Sequence, residues 1–189
     1  MKKEKLHEDS LSLTKILEKL RQEYWQNLAE AEEKEKQEGV ELLTFWMSGE
    51  NYGVDLNLSR HLLKPPKIVR LPQVKDYVLG IFNLRGDIVP ALDLRRLFGL
   101  KITEPTPDTR LLVVEAKGVQ AAILLDRIGD IVFAENKNLQ KITGEQTPIP
   151  SDYLKGYFLP QDPKGKILIY LDLEQLISSE KLVSGFKGA

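Results

Sequence analysis

Residues 77–98 read YVLGIFNLRGDIVPALDLRRLF, and residues 153–177 read YLKGYFLPQDPKGKILIYLDLEQLI. Both begin Tyr-x-x-Gly-x-Phe, pass through a Gly-bearing turn, and continue as a strand that ends Leu-Asp-Leu before an apolar helical turn. The second stretch is longer by three, since Tyr77 to Asp93 spans 16 and Tyr153 to Asp172 spans 19. Upstream of each lies another hairpin pattern with Gly near its turn: LTFWMSGENYGVDL at 43–56 and LLVVEAKGVQAAILL at 111–125. The chain therefore predicts one unit used twice, about 41–99 and 110–178. KITEPTPDTR at 101–110 is the connector, marked by its prolines. Two copies fit duplication; a solenoid needs three or more.

From Val40 onward, short apolar runs alternate with Gly, Pro, Asn and Asp. LLTFWMS, YGVDL, KIVRLP, VLGIFNL, DIVPALDL, RLLVVEA, VQAAILL, GDIVFA and KILIYLDL each read as a strand or part of one. Only brief helical turns fit between them, LRRLFG after Asp93 and LEQLIS after Asp172. Many short strands at close spacing predict an all-β fold, and the repeat makes two similar small barrels side by side its simplest form.

The first 39 residues have another texture. They are nearly free of Gly and Pro and dense in the helix formers Glu, Lys, Leu and Gln. Asp9 or Ser10 suits an N-cap, and Leu13, Leu17, Leu20, Tyr24, Asn27 and Ala31 step as a heptad seam. This predicts a charged helical extension, either docked or loosely ordered, or else self-associating or partner-binding. Residues 181–189 read as a tail. The chain has no cysteine, which excludes disulfides and thiol chemistry. No apolar run approaches a membrane span, and MKKEKLHEDS leads into no signal-peptide core. A soluble, cytoplasmic chain without membrane insertion is expected. The formal net charge of −1 argues against a general nucleic-acid binder.

Little in the chain suggests chemistry. His7 lies in the extension and His61 stands alone, so no histidine pair can ligate a metal, and no cofactor is expected. There is no Gly-x-Ser-x-Gly elbow and no phosphate loop; DPKGK at 162–166 reads as a hairpin turn. Asp93 and Asp172 could be imagined as paired carboxylates, but each sits just before a helical turn, where aspartate caps free N–H groups. Arg95 and Arg96 could bind phosphate.

In the hairpin around Arg85, Gly86-Asp87 fits a two-residue type II′ loop with Gly first. That pairing places Leu84 opposite Val89 and Phe82 opposite Ala91, on an apolar face suited to a barrel core. The other face carries Asn83 and Arg85 beside Ile81, Ile88, Pro90 and Leu92, a mixture suited to the rim of a binding surface. Pro90, lacking an N–H, belongs at an edge, a bulge or in a longer loop.

KIVRLPQVKDYVLGIFNLRGDIVPALDLRRLFGL, 67–100, resembles the signature of CheW-like domains, the coupling proteins of bacterial chemosensory arrays. The resemblance rests on Leu71-Pro72, Tyr77, Gly80, Asn83-Leu84-Arg85-Gly86, Ile88, Pro90 and Asp93-Leu94. It continues through AILLDRIGDIV at 122–132, around Asp126, and ILIYLDLEQLI at 167–177, and covers about 40–180. It implies two small five-stranded, SH3-like barrels packed side by side. It also implies an adaptor without catalysis, bridging methyl-accepting chemoreceptors to the regulatory domain of a CheA-type histidine kinase. By the same resemblance the kinase meets a barrel end, the receptor tip packs between barrels, and Arg85 belongs to the coupling surface. Asn83 and Ile88 are further candidates, with Gly80, Gly86, Pro90, Asp93 and Asp126 as structural positions. One departure stands out: where the family has a hydrophobic-x-Glu-Ile pattern, this chain has Ser59, Arg60 and His61, so Arg60 and His61 are candidates for altered receptor choice. The rival reading is a small-barrel protein that binds oligosaccharide or single-stranded nucleic acid.

Overall fold

The computed structural model describes residues 38–142, 147–160 and 165–179. Residues 1–37 with His7, expected as a helical extension, the tail from 180, and Lys164 of the second turn lie outside the described residues.

The described residues form ten strands in two five-stranded sheets. In chain order they are β1 Gly39–Met47, β2 Glu50–Asp55, β3 Ser59–Leu63, β4 Val78–Leu84, β5 Asp87–Leu92, β6 Arg110–Ala116, β7 Val119–Leu125, β8 Arg127–Glu135, β9 Leu154–Phe158 and β10 Leu168–Leu171. Two short helices follow the Leu-Asp-Leu ends: α1 Leu94–Phe98 and α2 Leu173–Ser178. KIVRLP, expected as a strand, contributes only the bridge Val69↔Ile81.

The sheets do not follow the sequence copies. The first has the order β8-β1-β2-β10-β9 and the second β3-β6-β7-β5-β4. Each copy gives its leading hairpin to the barrel that the other copy completes. Replacing β1 by β6, β2 by β7, β3 by β8, β4 by β9 and β5 by β10 turns one order into the other. Registers obey the same rule: Leu43↔Val54 matches Leu112↔Ile123, and Tyr170↔Gly53 matches Ala91↔Ala122. Each sheet then closes into a barrel through one antiparallel bridge, Gln140↔Tyr157 in the first and Val69↔Ile81 in the second.

That closure explains Tyr-x-x-Gly. Gly80 and Gly156 have φ of 137° and 147°, and a Cβ would lie 2.2 Å from the Val69 carbonyl oxygen and 2.4 Å from that of Gln140. Only glycine lets the closing strand approach. The tyrosine carbonyls accept from the helix caps, Asp93 N to Tyr77 O at 2.8 Å and Asp172 N to Tyr153 O at 2.9 Å.

The leading hairpins are covered on both faces. Leu42 packs into the first barrel beside Ala134, Phe158 and Tyr170. Phe45, Met47, Tyr52 and Val54 point the other way, into a core between the barrels shared with Leu112, Val114, Ile123, Leu125 and both helices. Leu111, Val113 and Ala122 fill the second barrel with Phe82, Val89 and Ala91. Continuous apolar runs such as RLLVV follow from burial on both faces. Each fully buried Val, Leu or Phe here contributes about 1.5–3 kcal/mol.

Candidate protein-binding surface

The Arg85 hairpin pairs differently from its sequence-based expectation. Leu84 faces Asp87, Asn83 faces Ile88 and Phe82 faces Val89. The loop is therefore Arg85-Gly86, one residue earlier than the expected Gly86-Asp87. Both loop residues have positive φ, 57° and 108°, as a type I′ turn requires. Ser48-Gly49 and Lys117-Gly118 make the same kind of turn, with φ of 55° and 82°, and 50° and 76°. Glycine takes the second place in all three. The register moved by two, so each side chain kept its face: Phe82, Val89 and Ala91 are buried. Pro90 lies opposite Ile81, just before the short parallel ladder of β5 with β7. The irregularity of this pair sits beside Gly80, not at Pro90.

Arg85 is exposed at the tip, and it makes no ion pair with Asp87. Asn83 Oδ1 accepts from Gly86 N at 3.1 Å, so Asn83 braces the turn that presents Arg85. Beside it lie Ile81, Pro90, Ile88 and Val69 on the outer face. Ile88 is 62% exposed and Val69 56%. An exposed apolar strip ending in an arginine is the composition of a protein interface.

The equivalent face of the first barrel borders a cleft, with Ile167, the counterpart of Ile88, 44% exposed. Tyr52, Ile169 and Tyr157 form one row across β2, β10 and β9. With Leu100, Ile142 and Ile167 they line a cleft of about 800 Å³.

Arg60 and His61 lie on β3 and make no bond to the Arg85 hairpin. The Arg60 guanidinium donates to Glu115 Oε2 at 3.1 Å and to Asn57 O at 3.0 Å. Ser59 Oγ is enclosed without a hydrogen-bond partner among the described residues. A second polar cluster lies at β2, β9 and β10. Lys155 Nζ donates to Asp55 Oδ2 at 2.8 Å, and Tyr170 OH donates to Asp55 Oδ1 at 2.7 Å. Burial, then the bond and charge of Asp55, push the Tyr170 hydroxyl up to about 12 despite opposition from Lys155.

The phosphate-binding reading of Arg95 fails, because its side chain is only 4% exposed. It serves the helix start instead. Asp93 caps α1 by accepting from Arg95 N at 3.0 Å, and the Arg95 guanidinium donates back to both Asp93 oxygens at 2.8 and 2.9 Å. A further bond of 2.8 Å reaches Asp126 Oδ1. Burial opposes the Arg95 charge, but the bonds and charges of Asp93 and Asp126 outweigh it, and its pKa is raised. Sequence reasoning missed this cluster; the only signal was that Asp93 and Asp126 both fall within motif segments.

Among the described residues no three His, Asp or Glu side chains gather as a metal-binding group, and no helix is long and apolar enough to cross a membrane. Residues 41–181 match the family described as CheW-like domain. The chemotaxis protein CheW of Helicobacter pylori is 30% identical over 114 residues, covering 60% of this chain and 69% of that protein. The chemotaxis protein CheW of Treponema pallidum is 29% identical over 149 residues, covering 77% and 86%. The crystal structure of the scaffolding protein TtCheW from Thermoanaerobacter tengcongensis superposes with a TM-score of 0.67 at 24% identity, over 76% of this chain and 90% of that one. At that identity the likeness speaks for the fold.

Proposed function

The chain belongs to the family of CheW-like domains, and on that premise we propose that it is a non-enzymatic adaptor coupling methyl-accepting chemoreceptors to a CheA-type histidine kinase. Residues 40–180 act as one coupling unit, working in the cytoplasm against membrane-bound receptors. The extension 1–39 serves self-association or partner choice. The observation that carries this reading is the bare outer face of β4–β5, where Ile88 and Val69 lie open beside the Arg85 tip. An apolar strip with one rim arginine suits a moderate interface, in which the arginine contributes orientation and discrimination. Several such contacts together would build an array by multivalency. Arg60 and His61 tune receptor choice from a separate strand.

The rival small-barrel reading loses support from the burial of Arg95, which removes half of the only adjacent arginine pair in the described residues. Its signature would be single-stranded nucleic acid bound with a steep salt dependence.

The test is reconstitution with a receptor tip and the kinase from the same genome. Arg85→Glu should change the unfolding free energy by no more than about 0.5 kcal/mol, as surface substitutions do, and should weaken kinase control. Full kinase control by Arg85→Glu would sink the assignment of this surface. So would a variant that loses control only because it unfolds.

A further inference from the structure

Asp126 ends the second sheet and begins the passage to the first, since β7 belongs to one and β8 to the other. Its two carboxylate oxygens face different barrels. Oδ1 accepts from Arg95 Nη1 at 2.8 Å and from the Thr103 hydroxyl, on α1 and the segment behind it. Oδ2 accepts from Ser48 N at 2.8 Å, in the β1–β2 turn of the first barrel. Ser48 Oγ also donates to Lys101 O at 2.7 Å, and Asp126 N donates to Trp46 O at 3.0 Å. The duplication gives each of these residues a counterpart on the opposite side. Registers and turns pair Ser48 with Lys117, Asp126 with Asn57, and Arg95 with Glu174. All three counterparts are exposed, and among the described residues their own side chains make no hydrogen bond; only the carbonyls of Asn57 and Glu174 accept, from Arg60 and Ser178.

We propose that this cluster is a one-sided latch that sets the angle between the two barrels, making Asp126 and Arg95 positioning residues for the surfaces the barrels present. The core between the barrels is apolar, and apolar attraction is non-directional. It fixes their separation but resists rotation weakly. Charge-assisted hydrogen bonds are directional and strong, and here they act on one side alone. Without them the barrels would turn about the shared core, opening at the side of Ser48. The latch holds whether or not the Arg85 surface binds a kinase or a receptor, because it concerns the free protein.

The chain has no cysteine. Spin labels at Asn136→Cys and Lys117→Cys, exposed sites on different barrels, therefore report the inter-barrel distance by pulsed electron resonance. The full-length chain should give one narrow distribution. Asp126→Ala should shift or broaden it while unfolding stays cooperative, because Arg95 keeps its bonds to Asp93. Ser48→Ala, which removes only the bond to Lys101, should have a smaller effect. Arg60→Ala, which breaks the ion pair with Glu115 inside one barrel and the bond to Asn57 O on the side opposite the latch, should have none. A merely structural role for Asp126 would lower the unfolding midpoint and leave the distance unchanged, and that result overturns the latch. Equal broadening by Arg60→Ala does the same. If Asp126→Ala does not fold, the Thr103→Val, Ser48→Ala double variant decides by the same readout.

Discussion

At the start of α1, Asp93 is buried, caps the helix and grips the Arg95 guanidinium. At the start of α2, Asp172 also caps, accepting from Gln175 N at 3.0 Å, but Glu174 stands in place of Arg95 and is exposed. The two ends share what the backbone needs and differ in what side chains add. The same division runs through the barrels. Asp55, Lys155 and Tyr170 of the first correspond to Leu124, Leu79 and Ala91 of the second, so one barrel holds a polar knot where the other is apolar. A duplicated architecture tolerates this because caps, closures and turns are local requirements, whereas polar clusters must only be satisfied as units.

The largest expected break in the symmetry is Arg95→Ala. It leaves Asp93 buried with only the more distant Arg96 guanidinium, 3.6 Å away, and should cost about 3–5 kcal/mol. Glu174→Ala, at the matching place, should stay within about 0.5 kcal/mol. Urea unfolding of both variants measures the difference, and similar losses would refute the asymmetry.

Alkaline stability separates the two barrels next. Tyr170 keeps its proton in the folded chain until about pH 12, whereas an unfolded tyrosine releases it near 10. The folded state therefore binds more protons between those values. The stabilisation is complete below pH 10 and lost as pH rises to 12. Two pH units correspond to about 2–3 kcal/mol. Tyr52, pushed up to about 12 by burial and then by Glu50, adds a similar loss in the shared core. Tyr170→Phe should remove roughly half of the combined alkaline loss. Urea midpoints at pH 9 and pH 11.5 would show it, and an unchanged slope would discount the knot.

A smaller effect than at Arg95 or Tyr170 is expected at Ser59, whose counterpart in the first barrel is Ile128. Its hydroxyl is enclosed without a partner among the described residues, so Ser59→Val should stabilise by about 1 kcal/mol. A destabilised variant would show that the hydroxyl is satisfied after all.

Much of this fold could be read from residues. Tyr-x-x-Gly and Leu-Asp-Leu recur because barrel closure admits no Cβ and a helix start needs a cap, and such local demands leave marks on sequence. Strand exchange left none. A strand such as RLLVV presents the same two apolar faces whichever copy supplies its neighbours. The turn at Arg85 was misplaced for a related reason: Gly86 supplies a positive φ equally well as the first residue of a type II′ turn or the second of a type I′ turn. Arginine at positive φ is uncommon, which favoured the wrong choice. The structural role of Arg95 was not legible because arginine is rarely buried, and its partner Asp126 is remote in the chain. For the proposed binding surface, residues alone identified Arg85, Asn83 and Ile88 as neighbours, but not that the exposed Asn83 braces the loop by accepting from Gly86 N.

The exchange of hairpins also has a consequence for synthesis. The first barrel begins with β1 at Gly39 and is finished only by β10 at Leu171. Neither copy contains a complete barrel, so an emerging chain that has delivered residues 41–99 holds hairpins but no closed sheet. Contacts so distant in sequence slow folding, and the leading hairpin, apolar on both faces, waits exposed until the last strand arrives. The second barrel has all its strands once Leu125 is made, so the first barrel alone waits for β10, and its hazard in the cell is aggregation during that wait.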